Sequence, residues 1–313
     1  MRLKELIVIA WALFLSAACT DGGEPVVVSP LPADGVIRVS AAVAEPFTRA
    51  GGEGMTAASL TRFCLHIENK QDEAYTYTAL MQKENGSWEA YRPVADGNPS
   101  EPLTMLWADG TTPVNVTATT LPVTDFGNEA AVEVEADQSA EADFAASDYL
   151  YTAPHEVNPA TGLVGGKLPV ELRHLCSRVN IVLDLSNTDA DENPVSDLRL
   201  EGVSLSRNFN LLSNQWGTAG AAASLIPLRA EYVVGPDGGG AQALYSALLV
   251  PQTVKASQFT VGFLMADSYY EWTLEQDMTF DSGKVYTLNL IVGGSTAGRT
   301  SVLSPIGAMT NNQ

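Results

Sequence analysis

From residue 60 onward, apolar and polar side chains alternate with a period of two. Phe63, Leu65 and Ile67 oppose Cys64 and His66, and Tyr75 and Tyr77 oppose Thr76 and Thr78. Such alternation marks half-buried strands, because successive strand side chains point to opposite faces of a sheet. An earlier run, Val36-Ile37-Arg38-Val39-Ser40-Ala41-Ala42-Val43, has the same character, and the chain then breaks at Pro46 and at Gly51-Gly52. Turn signals recur at Asn85-Gly86, Asp96-Gly97-Asn98-Pro99 and Asp109-Gly110, the first and third being hairpin dipeptides. One helical turn is expected between residues 136 and 146, where alanines and acids replace β-branched residues. Further strands are expected at 179–185, 243–250, 259–265, 269–274 and 285–292, the last placing Tyr286, Leu288, Leu290 and Val292 on one face. The rhythm is that of an all-β antiparallel sandwich.

Two stretches interrupt it. Residues 154–166, with Asn158-Pro159 and Gly165-Gly166, read as a boundary between an N-terminal domain (35–160) and a C-terminal one (161–313), a division that suits the chain length. Strands resume at Leu168-Pro169-Val170. At the other end, basic Arg2 and Lys4 precede an apolar core from Leu6 to Leu15 and then Ser16-Ala17-Ala18-Cys19. This reads as an export signal over 1–18, and its end resembles the lipobox of bacterial lipoproteins, with Cys19 as the lipid acceptor. The plainer alternative is an ordinary secretory signal cut near Ala18. Residues 19–34, rich in Gly, Pro and acids, read as a flexible tether. No later run of about 20 apolar residues could span a bilayer, so the expected location is the outer membrane or cell surface, through lipid on Cys19.

Charge and candidate chemistry narrow the function classes. A formal net charge of −20, without a Lys/Arg cluster, makes nucleic acid a poor partner and leaves proteins or neutral glycans. Cys64 and Cys176 lie in separate apolar runs and read as buried free thiols rather than a disulfide framework. The three histidines, His66, His155 and His174, stand in no zinc-binding spacing. His174 and Cys176 would share a strand face, which reads as core packing. Asp189, Asp191 and Asn193 open like a calcium loop, but Pro194 stands where that loop needs glycine. No nucleophile elbow, phosphate loop or dinucleotide fingerprint occurs, so neither an enzyme, a metal nor a cofactor is expected. Trp88, Trp107, Trp216 and Trp272 would stack on sugars only if clustered on an open face; otherwise they are packing residues.

Five segments, in order, resemble the fimbrillin family, the type V pilins of Bacteroidota and their Mfa-like relatives. They are Thr48-Arg49-Ala50; Ala146-Ser147-Asp148-Tyr149-Leu150-Tyr151; Leu172-Arg173-His174 with Ser177-Arg178-Val179; Val250-Pro251-Gln252-Thr253; and Gly283-Lys284-Val285-Tyr286-Thr287-Leu288. The resemblance implies two transthyretin-like antiparallel β-sandwich domains behind a lipoprotein signal peptide and a short tether.

It also implies a mode of assembly. An arginine-specific protease would cut between Arg49 and Ala50, the strand carrying Val36, Ile37, Val39, Ala41 and Val43 would leave, and a neighbouring subunit's strand would fill the groove. Losing that strand would expose apolar surface flanked by unpaired backbone groups, which a donor strand restores. Read from the sequence pattern alone, Arg49 is an exposed arginine in a Gly-rich loop, and only the resemblance sets processing beside that reading. The candidate donor segment carries Val302, Leu303, Ile306 and Met309, with Pro305 and Gly307 interrupting its alternation. The resemblance therefore leaves stalk, tip and anchor roles open. The expected partners are other pilin subunits in a head-to-tail polymer, the protease, outer-membrane lipid through Cys19, and a host protein or glycan. A lipid-anchored glycan-binding module of an outer-membrane uptake system is the alternative. It calls for an exposed aromatic platform, whereas the pilin reading calls for a first strand at a sheet edge.

Overall fold

The computed structural model describes residues 31–44, 54–94, 98–185, 192–235, 240–265 and 267–292, together with the backbone of 304–305. Its first part contains β1 (Val39–Val43), β2 (Arg62–Glu68), β3 (Tyr77–Glu84), β4 (Ser87–Tyr91), β5 (Val114–Thr119), β6 (Glu129–Glu133), β7 (Leu150–Val157) and β8 (Leu168–His174). Helix α1 (Glu141–Ala146) precedes β7, inside the segment expected to hold a helical turn, and α2 (Pro159–Gly162) links β7 to β8. Seven of these strands form one sheet in the order β1-β8-β7-β5-β2-β3-β4, antiparallel throughout except where β1 runs parallel to β8. The β3–β4 hairpin turns at Asn85-Gly86 with both residues at positive φ, as the dipeptide predicts. Asp109-Gly110 makes no such hairpin. The Asp109 carboxylate instead accepts the N–H groups of Thr111 and Thr112 and closes a loop before β5.

The second part contains β9 (Ser177–Asp184), β10 (Val195–Ser204), β11 (Ser206–Asn210), β12 (Gln215–Ala219), β13 (Ala222–Leu225), β14 (Leu228–Val234), β15 (Ala241–Leu249), β16 (Gln252–Val254), β17 (Thr260–Met265), β18 (Ser268–Thr273), β19 (Met278–Phe280), β20 (Val285–Ile291) and β21 (Ser304–Pro305). Two sheets, β14-β15-β9-β20-β21 and β13-β10-β17-β18, carry most of it, with a small β16-β19 pair. The side chains expected to share a face of β20 are all buried in its core. The architecture is the all-β sandwich type that the alternation predicts.

The division expected between residues 160 and 161 falls on α2, and the strands flanking α2 share one sheet. The change of sheet comes at Leu175-Cys176, between β8 and β9. Prolines lie within the strands on both sides of α2. Pro154 sits inside β7, where the register against β5 shifts between Val116 and Ala118 and no ladder N–H is required. Pro169 lies beyond the short β7–β8 pairing, on the side of β8 away from β1, so its missing N–H costs nothing there.

Cores and sheets interlock. One face of the seven-stranded sheet, with Phe63, Leu65, Ile67, Val116, Leu168 and Leu172, forms the first core with Leu60, Met105 and Trp107. The other face, through Cys64, Leu80 and Tyr151, belongs to the second core, reached by the excursion that carries Phe126, Val132 and Phe144. Within that excursion β6 pairs with β11, so a strand from the first part completes a sheet of the second. Tyr151 packs edge-on against Phe209 and its hydroxyl donates to the Leu211 carbonyl at 2.5 Å.

Two expectations about stability follow. Gly202 stands at φ +79 where β10 shifts register against β13, and a methyl group there would strike the Gln258 carbonyl oxygen. Gly202→Ala should therefore cost about 1–3 kcal/mol in urea unfolding. His66 stacks on Phe126 at 5.3 Å and meets Thr78 Oγ1 at 3.1 Å. Burial holds its pKa below the ordinary value, with Glu68 and Asp125 opposing. The unfolded chain thus takes up this proton first as pH falls, and stability is lost below about pH 6.5. The urea midpoint should fall more between pH 7.5 and 5.5 in the wild type than in His66→Gln.

Candidate functional site

The first strand is short and small. Val39, Ser40, Ala41, Ala42 and Val43 lie opposite Leu168, Pro169, Val170, Glu171 and Leu172 of β8 in a parallel ladder. The Leu168 N–H donates to Arg38 O at 2.7 Å, and the Ala44 N–H donates to Leu172 O at 2.8 Å. Alternation puts the backbone groups of 38, 40, 42 and 44 toward β8 and those of 37, 39, 41 and 43 away from it. No strand among the described residues covers that outer edge along β1. Only its approach is stitched, where the Ile37 N–H reaches Met105 O and the Trp107 N–H reaches Gly35 O.

The five residues named from the sequence for this strand come together here. Ile37 and Val39 are buried, at 6% and 3% exposure, in the first core; Ala41 and Val43 are half-buried against it, and Val36 bridges to Leu106. A cleft of about 380 Å³ runs along the start of the strand, between Val36–Val39 on one side and Trp88, Glu89 and Met105 on the other. Arg38, facing outward, forms an exposed pair with Asp34, whose carboxyl it holds at about 2. Cys19, Arg49, Ala50, Val302, Leu303, Ile306 and Met309 lie outside the described residues, although Ser304 and Pro305 between them pair with Ile291 and Leu290 of β20.

The edge that β1 occupies continues into the second sheet. Cys176 O accepts the Gly283 N–H and the Arg178 N–H donates to Lys284 O, on the same even-numbered side of the chain that faces β1. The odd-numbered Leu175 N–H goes the other way, to Tyr149 O. Hence β1 and β20 cover successive lengths of one edge, and the groove under β1 leads toward β20.

Around this edge the motif segments supply buried polar joints. Asp148 accepts the Met55 N–H at 2.5 Å and meets His174 Nδ1 at 2.8 Å. Arg178 is buried against Phe144 and donates to Asn180 and Ser246, its pKa lowered by burial to about 10. The Gln252 amide stands in for a strand residue, accepting from Ser204 N and donating to Ser204 O. Gln138 bonds Leu248 N and O in the same way. Alternation gives no hint of Gln138 or Asp148, because each follows another polar residue, Asp137 or Ser147, and a polar run reads as solvent-facing. Cys64 and Cys176 are free and buried. The candidate calcium residue Asn193 caps a turn at Val195, while Asp189 and Asp191 lie outside the described residues. Trp107 and Trp272 are core residues; Trp88 packs on Phe63 and Trp216 on Phe209, in different sheets, so the four form no common platform.

A protein-family model described as Fimbrillin-like matches residues 48–306. The chain belongs to the fimbrillin-like family. Solved structures agree on the fold of this fimbrillin-like protein. A protein of Bacteroides ovatus assigned provisionally to cell adhesion is 16% identical, covering 88% of this chain and 97% of its own, with a TM-score of 0.59. A second, from Bacteroides uniformis and assigned in the same way, is 14% identical, covering 90% and 99%, with a TM-score of 0.56. No curated protein matches the chain. Among the described residues no helix is long and apolar enough to cross a membrane.

The hold of the first strand can be measured directly. Ile37→Ala should loosen the first core by about 2–5 kcal/mol, as a buried truncation that leaves a cavity. Amides of β8 facing β1 should then exchange faster, while those of β9 keep their rates.

Proposed function

We propose that this fimbrillin-like protein is a cell-surface pilus subunit whose first strand is a removable plug. The observation that carries the reading is the placement of β1: a five-residue strand at the end of the seven-strand order, held by one ladder, yet burying apolar side chains in the first core. Such a strand can leave without breaking any other pairing of the sheet, and its loss leaves both an apolar groove and unpaired backbone groups on β8. An extended segment from another subunit would meet both needs, giving a head-to-tail contact that grows a filament. The family supports a fimbrial role, assembly with other subunits and a surface location.

In the finer reading, lipid on Cys19 holds the precursor at the outer membrane. Cleavage after Arg49 frees the plug, and the segment with Val302, Leu303, Ile306 and Met309 serves as donor. Support for the last step is the short pairing of Ser304 and Pro305 beside β20, next to the edge that the groove leads to. The two-domain division is read with its change at Leu175-Cys176.

Treatment of the folded precursor with an arginine-specific protease, followed by N-terminal sequencing and electrophoresis without boiling, tests this. A new N-terminus at Ala50 together with an SDS-resistant ladder is expected, and Arg49→Ala should abolish both. A chain that resists at Arg49, or that is cut there and stays monomeric, overturns the plug reading.

A further inference from the structure

We infer that the buried Asp148–His174 pair is a clasp that keeps the chain beyond residue 54 seated when the first strand leaves. The inference rests on the reading of β1 as a removable plug. Asp148 follows α1 and His174 ends β8; their side chains are 0% and 3% exposed. One carboxylate oxygen meets His174 Nδ1 and the other accepts the Met55 N–H. The segment that starts there folds at once into the protein. Thr56 and Ser59 bond each other through side chain and backbone, the Leu60 N–H donates to Thr56 O, and Leu60 is buried in the first core.

The position of the clasp matters. β1 takes leave of β8 where the Ala44 N–H donates to Leu172 O, and the clasp, anchored on His174 two residues further along the same strand, grips Met55 through Asp148. Ten residues join these pins, with Arg49 near their middle. The pins are unlike. One is the end of a ladder on a sheet edge, with Ala42 exposed beside it. The other is a carboxylate out of water, whose charge-assisted bonds are strong and whose release would leave a buried charge short of donors. A cut between the pins therefore frees one side only. The strand before it can leave, while residues 55–60 stay as part of the groove wall and keep the β7–β8 junction in place for an incoming strand. Asp148 and His174 are positioning residues for that exchange.

Hydrogen exchange with mass spectrometry on the full chain tests this in two arms. In the intact chain, amides of residues 55–60 should exchange at least about tenfold faster in Asp148→Asn than in the wild type, as expected for one lost charge-assisted hydrogen bond. Those of Leu65 and Ile67 should keep their rates. His174→Gln, milder for folding, should shift the same segment in the same direction and serves if Asp148→Asn does not fold. After cleavage of the wild type, residues 39–43 should lose protection and 55–60 should retain it. Equal rates at 55–60 in the wild type and in the folded variants overturn the clasp, as does simultaneous loss at 39–43 and 55–60 after cleavage. A wild-type chain that resists cutting counts against the plug reading, whereas the intact-chain arm reads the grip on Met55 by itself.

Discussion

The extended run from Leu168 to Asp184 is the member on which the rest of the structure is built, because its two edges are used by both cores. As β8 it carries β1 on one side and touches β7 on the other; as β9 it carries β20 and β15. A strand cannot leave its backbone groups unpaired in a buried place, so whatever lies along the β1–β20 edge must supply a continuous set of partners. The first strand meets that constraint along β8. The edge needs a strand there, but any strand of suitable pattern satisfies it, since ladder bonds are made by backbone and do not read sequence.

The two parts of the chain are tied by more than this run. The excursion between β5 and β7 delivers β6 to β11, Phe126 and Phe144 to the second core, and the Gln138 amide to Leu248. The second core is thus completed by residues of the first part, which couples the two. It also explains why buried polar side chains are frequent at the joints. Where two sheets meet at an angle, regular ladders end, and Gln138, Gln252, Asp148 and Arg178 satisfy the backbone and charged groups left over.

The chain on either side of residues 45–54 is held by two kinds of restraint. Its N-terminal side ends on a weakly enclosed edge and its C-terminal side on a buried carboxylate. The two ends are therefore held unequally, one by the last bond of a ladder at a sheet edge and the other by a carboxylate out of water.

The sequence by itself determined the strands and their inner faces. Period-two alternation named β2, β17, β18 and β20 nearly to their ends, Asn85-Gly86 named its hairpin, and small apolar residues named the first strand and the side chains it buries. These features are local: they follow from side-chain direction and from the φ values that particular residues accept. Only tertiary structure decided which strands became neighbours. The parallel pairing of β1 with β8, the loan of β6 to β11, and the meeting of Asp148 with His174 and Met55 join residues far apart in sequence. Prolines and glycines around 154–166 fit a boundary or a bulge equally well locally, and that β7 and β8 on either side share one sheet is a tertiary fact. Pairing partners are chosen by the burial of whole faces and by the closing of backbone edges, and neither quantity exists until the chain is folded.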